Sequence, residues 1–132
     1  MNPKDTIYVE LEVFAVLWDN DIHLQGKIGI AFNCEDPYPD DYLVDSIELL
    51  NSLKGDGSYF IFSCTCGIPQ CGGWESGIDV SYHGDVVKWV DRDRDRTWIF
   101  EKDKLINDIN AMNEEAEEYR RQCQKKGLEY VG

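Results

Sequence analysis

Strict hydrophobic alternation between residues 7 and 32 constrains the fold more than any other feature of this chain. Ile7, Val9, Leu11, Val13, Ala15 and Leu17 share one side of an extended backbone, and Tyr8, Glu10, Glu12, Phe14, Val16 and Trp18 share the other. A period of two sustained over this length predicts a strand with one face in a core. Asp19-Asn20-Asp21 supplies residues that tolerate turn conformations. Alternation resumes with Ile22, Leu24, Ile28, Ile30 and Phe32, while His23, Gln25 and Lys27 point away. The two runs together predict a long β-hairpin.

Residues 34 to 41 read as a loop with two prolines and the start of an acidic stretch. Asp40 or Asp41 is placed to cap a helix whose apolar side is Leu43, Ile47, Leu50 and Leu53, and Lys54-Gly55-Asp56-Gly57 stops it. Residues 59 to 64 return to strand, and residues 64 to 73 are irregular. Ile78, Val80 and Tyr82 alternate with Asp79, Ser81 and His83. Gly84-Asp85 turns the chain into a partner strand at 86 to 90, and a short strand follows at 97 to 100. Leu105, Ile109, Met112, Ala116, Tyr119 and Cys123 then recur at steps of four and three, the apolar stripe of a helix. The order ββαββββα predicts one α+β domain over residues 1–132, a mostly antiparallel sheet of about six strands with two helices packed on it.

Charge narrows the function. Thirteen Lys+Arg against 26 Asp+Glu leave a net charge of −13. A nucleic-acid binder needs a basic surface to neutralise phosphates, so that class is excluded as an expectation. The same charge repels anionic membranes and favours a basic protein partner. The longest nearly apolar run, residues 13 to 18, is far too short to cross a bilayer, and the polar start has no signal-peptide pattern. A cytoplasmic address is expected.

Five cysteines are present, and Cys64, Cys66 and Cys71 crowd into one short segment, Cys64-Thr65-Cys66-Gly67-Ile68-Pro69-Gln70-Cys71-Gly72-Gly73. In a reducing compartment such crowding points to metal or redox chemistry before a disulfide framework. Three sulfurs can supply three corners of a zinc tetrahedron. Glycines directly after Cys66 and Cys71 let the backbone turn close to an ion. His83 is the expected fourth ligand of a structural Zn2+, with His23, Cys34 and Asp79 competing for that place. Buried or incidental thiols are the rival reading, and redox or nucleophilic use of a thiol the third.

The stretch Phe60-Ile61-Phe62-Ser63-Cys64-Thr65-Cys66-Gly67 through Cys71-Gly72-Gly73, followed by His83-Gly84-Asp85-Val86-Val87-Lys88-Trp89, resembles a set of small bacterial proteins of unknown function. They share a C-x-C-G-x3-C-[AG]-G segment and then a His and a Trp in a hairpin. The resemblance implies no activity. In size and acidity the whole chain is also similar to immunity proteins of bacterial toxin systems.

Other signals carry less. Asp91-Arg92-Asp93-Arg94-Asp95-Arg96 begins like a calcium loop, but Arg96 and Lys102 stand where that loop needs glycine and an acid. A solvated hairpin loop is expected there. No Walker A loop, dinucleotide fingerprint, H-E-x-x-H or G-x-S-x-G elbow occurs, and an enzyme is not expected. The acids Glu35, Asp36, Asp40, Asp41, Asp45 and Glu48, interleaved with Tyr38 and Tyr42, form the expected partner-binding face, since aromatic anchors within a charged rim suit an interface. The leading expectation is a non-enzymatic, immunity-type inhibitor that neutralises a basic toxin, such as a nuclease, through this acidic face. The alternative is a small zinc-binding accessory or regulatory module whose cysteine-rich loop makes the functional contact.

Overall fold

The alternating segment folds as expected into two strands, β1 (Ile7–Trp18) and β2 (Asp21–Phe32), paired antiparallel from Ile7↔Phe32 to Trp18↔Asp21. The computed structural model describes residues 1–131; the side chain of Trp18, assigned above to the second face of the alternation, lies outside the described residues. Asp19 and Asn20 form the turn with φ of 52° and 65°. Asp and Asn adopt that left-handed conformation more readily than most side chains, and it suits the twist of a two-residue hairpin loop. Only the open end of the hairpin enters the core, through Ile7, Ile28, Ile30 and Phe32. Towards the turn Leu17 is 71% exposed and Ile22 58%. Strands of twelve residues run roughly 40 Å, so this end outruns the elements available to cover it.

Beyond the hairpin the chain departs from the expected order. Residues Leu43–Val44 form a short strand, β3, and α1 spans Ser46–Asn51. The cap is Asp45 rather than Asp40 or Asp41: its carboxylate accepts from the N–H groups of Ile47 and Glu48 at 3.0 and 3.1 Å. Because β3 holds residues 43 and 44 extended, the helical phase starts later. Leu49 is the side chain it buries completely, while Ile47, expected on the apolar side, is 70% exposed.

The strand expected at 59 to 64 divides into β4 (Gly57–Tyr59) and β5 (Phe62–Ser63), which belong to different sheets. Then come β6 (Ile78–His83), β7 (Val86–Asp91), β8 (Arg96–Glu101), α2 (Lys102–Lys126) and β9 (Glu129–Val131). The expected single sheet is three among the described residues: β1-β2-β9, β3-β5 and β4-β6-β7-β8. All pairings are antiparallel except β2 with β9. The class is α+β, as expected.

The stripe on α2 buries Leu105, Ile109, Met112, Ala116 and Cys123, whereas Tyr119 stays partly exposed and stacks on Tyr130 of β9. Gly127 at φ 68° ends α2, with the Leu128 N–H donating to the Cys123 carbonyl. This is a Schellman-type stop that turns the chain back along β2. The core gathers around Phe32, Phe62, Trp89, Trp98 and Phe100, whose rings meet mostly edge to face or tilted. No helix among the described residues is long and apolar enough to cross a membrane.

Asp45 therefore caps a helix from a half-buried position. Asp45→Ala is expected to cost about 1 kcal/mol, read as a lower urea midpoint with an unchanged slope; an unchanged midpoint would contradict the capping role.

Candidate metal centre

The cysteine loop leaves β5 at Ser63 and closes on itself twice. The Gly67 N–H donates to the Cys64 carbonyl at 2.8 Å, and the Cys71 N–H to the Ile68 carbonyl at 3.2 Å. Pro69 opens a 3-10 turn over Pro69–Gly72, which carries Cys71 back towards Cys64. Both expected glycines are used, for different reasons. Gly67 adopts φ 90°, a region that side chains disfavour. Gly72 is required by space: a Cβ there would lie 2.5 Å from the Trp74 ring and 3.0 Å from the Cys64 backbone nitrogen.

This path brings the Sγ atoms of Cys64, Cys66 and Cys71 within 4.8 Å of one another, and the three can hold a metal ion. Cys66 and Cys71 are exposed and Cys64 is half-buried; all five cysteines are free thiols. The Cys64 thiol is lowered to about 7, chiefly by the Cys66 backbone N–H and then by hydrogen bonds from the Cys66 and Cys71 side chains. Cys71 is raised to about 11, because its thiol donates to Cys64 and Cys66 and stands beside their negative charge. The loop thus favours one thiolate even before an ion binds.

The side chains expected as fourth ligand stand elsewhere. His83 is at the opposite end of β6 from the loop, and its Nε2 meets Ser81 Oγ at 2.8 Å. The reason is geometric, since six residues of strand at about 3.3 Å each separate the ends of β6. His23 Nδ1 lies 2.9 Å from Glu129 across the β2–β9 pair. Asp79 pairs with Arg92 at 2.6 Å. Cys34 sits in the exposed turn after β2 and is not one of the clustered sulfurs.

The supports of the loop come from Asp91 to Arg96, expected as a merely solvated turn. Asp93 accepts from the N–H groups of Glu75 and Ser76 at 2.9 and 3.1 Å. These hydrogen bonds, the Ser76 N–H first, lower its carboxyl below the ordinary value. Arg94 donates to the Gly72 carbonyl at 2.8 Å and lies 4.3 Å above the Trp74 ring. Asp91 is fully buried, accepting from Tyr38 Oη at 2.7 Å with the Arg94 guanidinium 3.4 Å away. Charges in an alternating Asp-Arg run look solvated in sequence. Only the β6–β7–β8 register, which pairs Asp91 with both Ile78 and Arg96, turns Asp91 inward.

Tyr38, expected among the acids of a docking surface, is instead buried, held by the Asp91 hydrogen bond and by edge contacts with Phe62 and Trp74. Burial, and then the neighbouring Asp91, push its phenol well above the ordinary range. Asp45 serves the α1 cap, and Glu48 accepts from the Phe60 N–H. Glu35 is exposed, its backbone bridged to Phe32. Asp36, Asp40, Asp41 and Tyr42 line a groove of about 300 Å³ together with Glu10 and Glu12 of β1 and Lys27 of β2. Tyr42 donates to Asp36 at 2.8 Å, and burial followed by that carboxylate raises its phenol. In sequence the strand acids Glu10 and Glu12 carry no signal of a groove, because they alternate with the core-facing residues of an amphipathic strand.

No known protein family matches this chain, nor does any curated protein or any solved structure.

The thiolate is the reactive form of cysteine. In metal-free folded protein the alkylation of Cys64 is therefore expected to accelerate as pH rises through about 7, while Cys71, ionising near about 11, lags behind. Mass mapping of the alkylated peptides reads this order, and equal rates at both cysteines across the range would contradict it.

Proposed function

We propose that this protein is a non-enzymatic metal-binding module whose cysteine loop takes one soft divalent ion, zinc first, and makes the functional contact. The observation that carries the reading is the cluster of Cys64, Cys66 and Cys71 sulfurs at the surface. Thiolates prefer zinc and other soft ions to magnesium or calcium. None of the three cysteines belongs to the hydrophobic core, which is built from the aromatic cluster, the sheets and α2. An ion here would order an exposed loop while the folded body keeps its own support, which favours an accessory or regulatory contact over a staple that the whole fold needs.

A second reading is the acidic, immunity-type inhibitor of a basic toxin. The groove between Glu10, Glu12, Asp36, Asp40 and Asp41, together with the net charge of −13, favours it. A concave acidic surface attracts a basic protein over long range and orients its approach.

Native mass spectrometry of the zinc-supplemented full chain, isolated gently, separates the readings. The expected spectrum carries one zinc-sized increment, which disappears in the Cys66→Ser/Cys71→Ser variant while circular dichroism reports an intact fold. An absent increment sinks the metal reading. A variant that unfolds makes the ion a structural staple, and a co-retained basic protein that survives loss of the metal favours the groove.

A further inference from the structure

Three thiolates leave a tetrahedral ion one place short. In a zinc tetrahedron with bonds of about 2.3 Å the sulfurs stand about 3.8 Å apart, a separation that sulfurs within 4.8 Å of one another reach by side-chain rotation. No other histidine, cysteine or acidic side chain among the described residues brings a ligand atom into the same reach. His83, His23 and Asp79 are each engaged with another residue. The missing corner lies towards water, because Cys66 and Cys71 are exposed. Structural zinc sites are closed by four protein ligands, whereas a site with three keeps an exchangeable position.

Charge decides what that position prefers. A divalent ion with three thiolates carries one net negative charge, and a fourth thiolate would make two. The protein around it has a net charge of −13; Glu75 follows the loop in the chain, Asp93 accepts from the Glu75 N–H, and Arg94 is a cation that touches the loop at the Gly72 carbonyl. A fourth anionic donor is therefore repelled, and a neutral nitrogen donor is not. Imidazole is neutral, borderline-soft and a ready zinc ligand.

We propose that the metal held by Cys64, Cys66 and Cys71 keeps an open fourth position that takes a neutral imidazole nitrogen from outside the chain. This rests on the metal-binding reading above. The loop then makes its contact by coordination, with a partner's histidine as the donor and water holding the place in between.

Cobalt(II) reports both steps, since its visible spectrum follows the ligand set. The full-length protein is loaded with one equivalent of Co2+ and titrated with imidazole, in parallel with the His83→Ala variant. The expected result is a sulfur-to-cobalt charge-transfer band before imidazole and a saturable shift of the visible bands at one imidazole per cobalt. Wild type and variant should behave alike. Cobalt that binds with sulfur bands yet ignores imidazole overturns the open position while leaving the metal reading intact. A His83→Ala variant whose starting spectrum differs from wild type overturns it as well, because the chain would then supply its own fourth ligand. Failure to bind cobalt or zinc at the cysteines overturns the metal reading and this inference together.

Discussion

A carboxylate with no access to water fixes the end of the protein where the cysteines lie. Asp91 closes β7, fully buried, and a buried charge costs several kcal/mol unless it is paired and hydrogen-bonded. Its partners come from distant parts of the sequence. Tyr38 donates from the loop after β2, and Arg94 approaches from the turn that follows β7. Arg94 then reaches the Gly72 carbonyl in the cysteine loop and covers the Trp74 ring. Arg96 donates to the Pro37 carbonyl and lies over Tyr38 and Trp98. Through these contacts one buried charge ties the cysteine loop, the acidic loop and the four-stranded sheet into a single arrangement.

That arrangement explains how an irregular, glycine-rich segment can present three sulfurs together. Turn hydrogen bonds shape the loop locally, Asp93 holds the segment that leaves it, and Trp74 anchors it in the core by stacking on Phe62. The sulfurs themselves remain outside the core, so the loop can serve an ion without the fold depending on one. The acidic groove has a different basis. It is formed where β1 and β2 meet the loop that Tyr38 pins down, and strand positions Glu10 and Glu12 add their charge to Asp36, Asp40 and Asp41 of the loop.

The sequence carried local features well and distant ones poorly. Period two over Ile7 to Phe32 defined the hairpin, and the four-and-three spacing from Leu105 to Cys123 defined α2, because both patterns arise within one element. Adjacent cysteines and glycines likewise marked the sulfur cluster. What escaped depends on contacts between elements. The helix after β3 started late because residues 43 and 44 pair with β5, a partner some twenty residues on. The division of β4 from β5 among sheets has no periodic signature in so short a run. Tyr38 among acids resembled a surface anchor, and Asp91 in a charge run resembled a solvated turn; each is buried because the other is there. His83 looked like a fourth ligand because it is the next histidine after the cysteines, yet a strand of six residues carries it away from them.

X-ray absorption at the zinc edge of the zinc-loaded full chain tests the central claim most directly, because it counts the scatterers around the ion. The expected spectrum fits three sulfurs at about 2.3 Å and one light atom at about 2.0 to 2.1 Å. A shell of four sulfurs, or one made only of oxygen and nitrogen, would contradict the account.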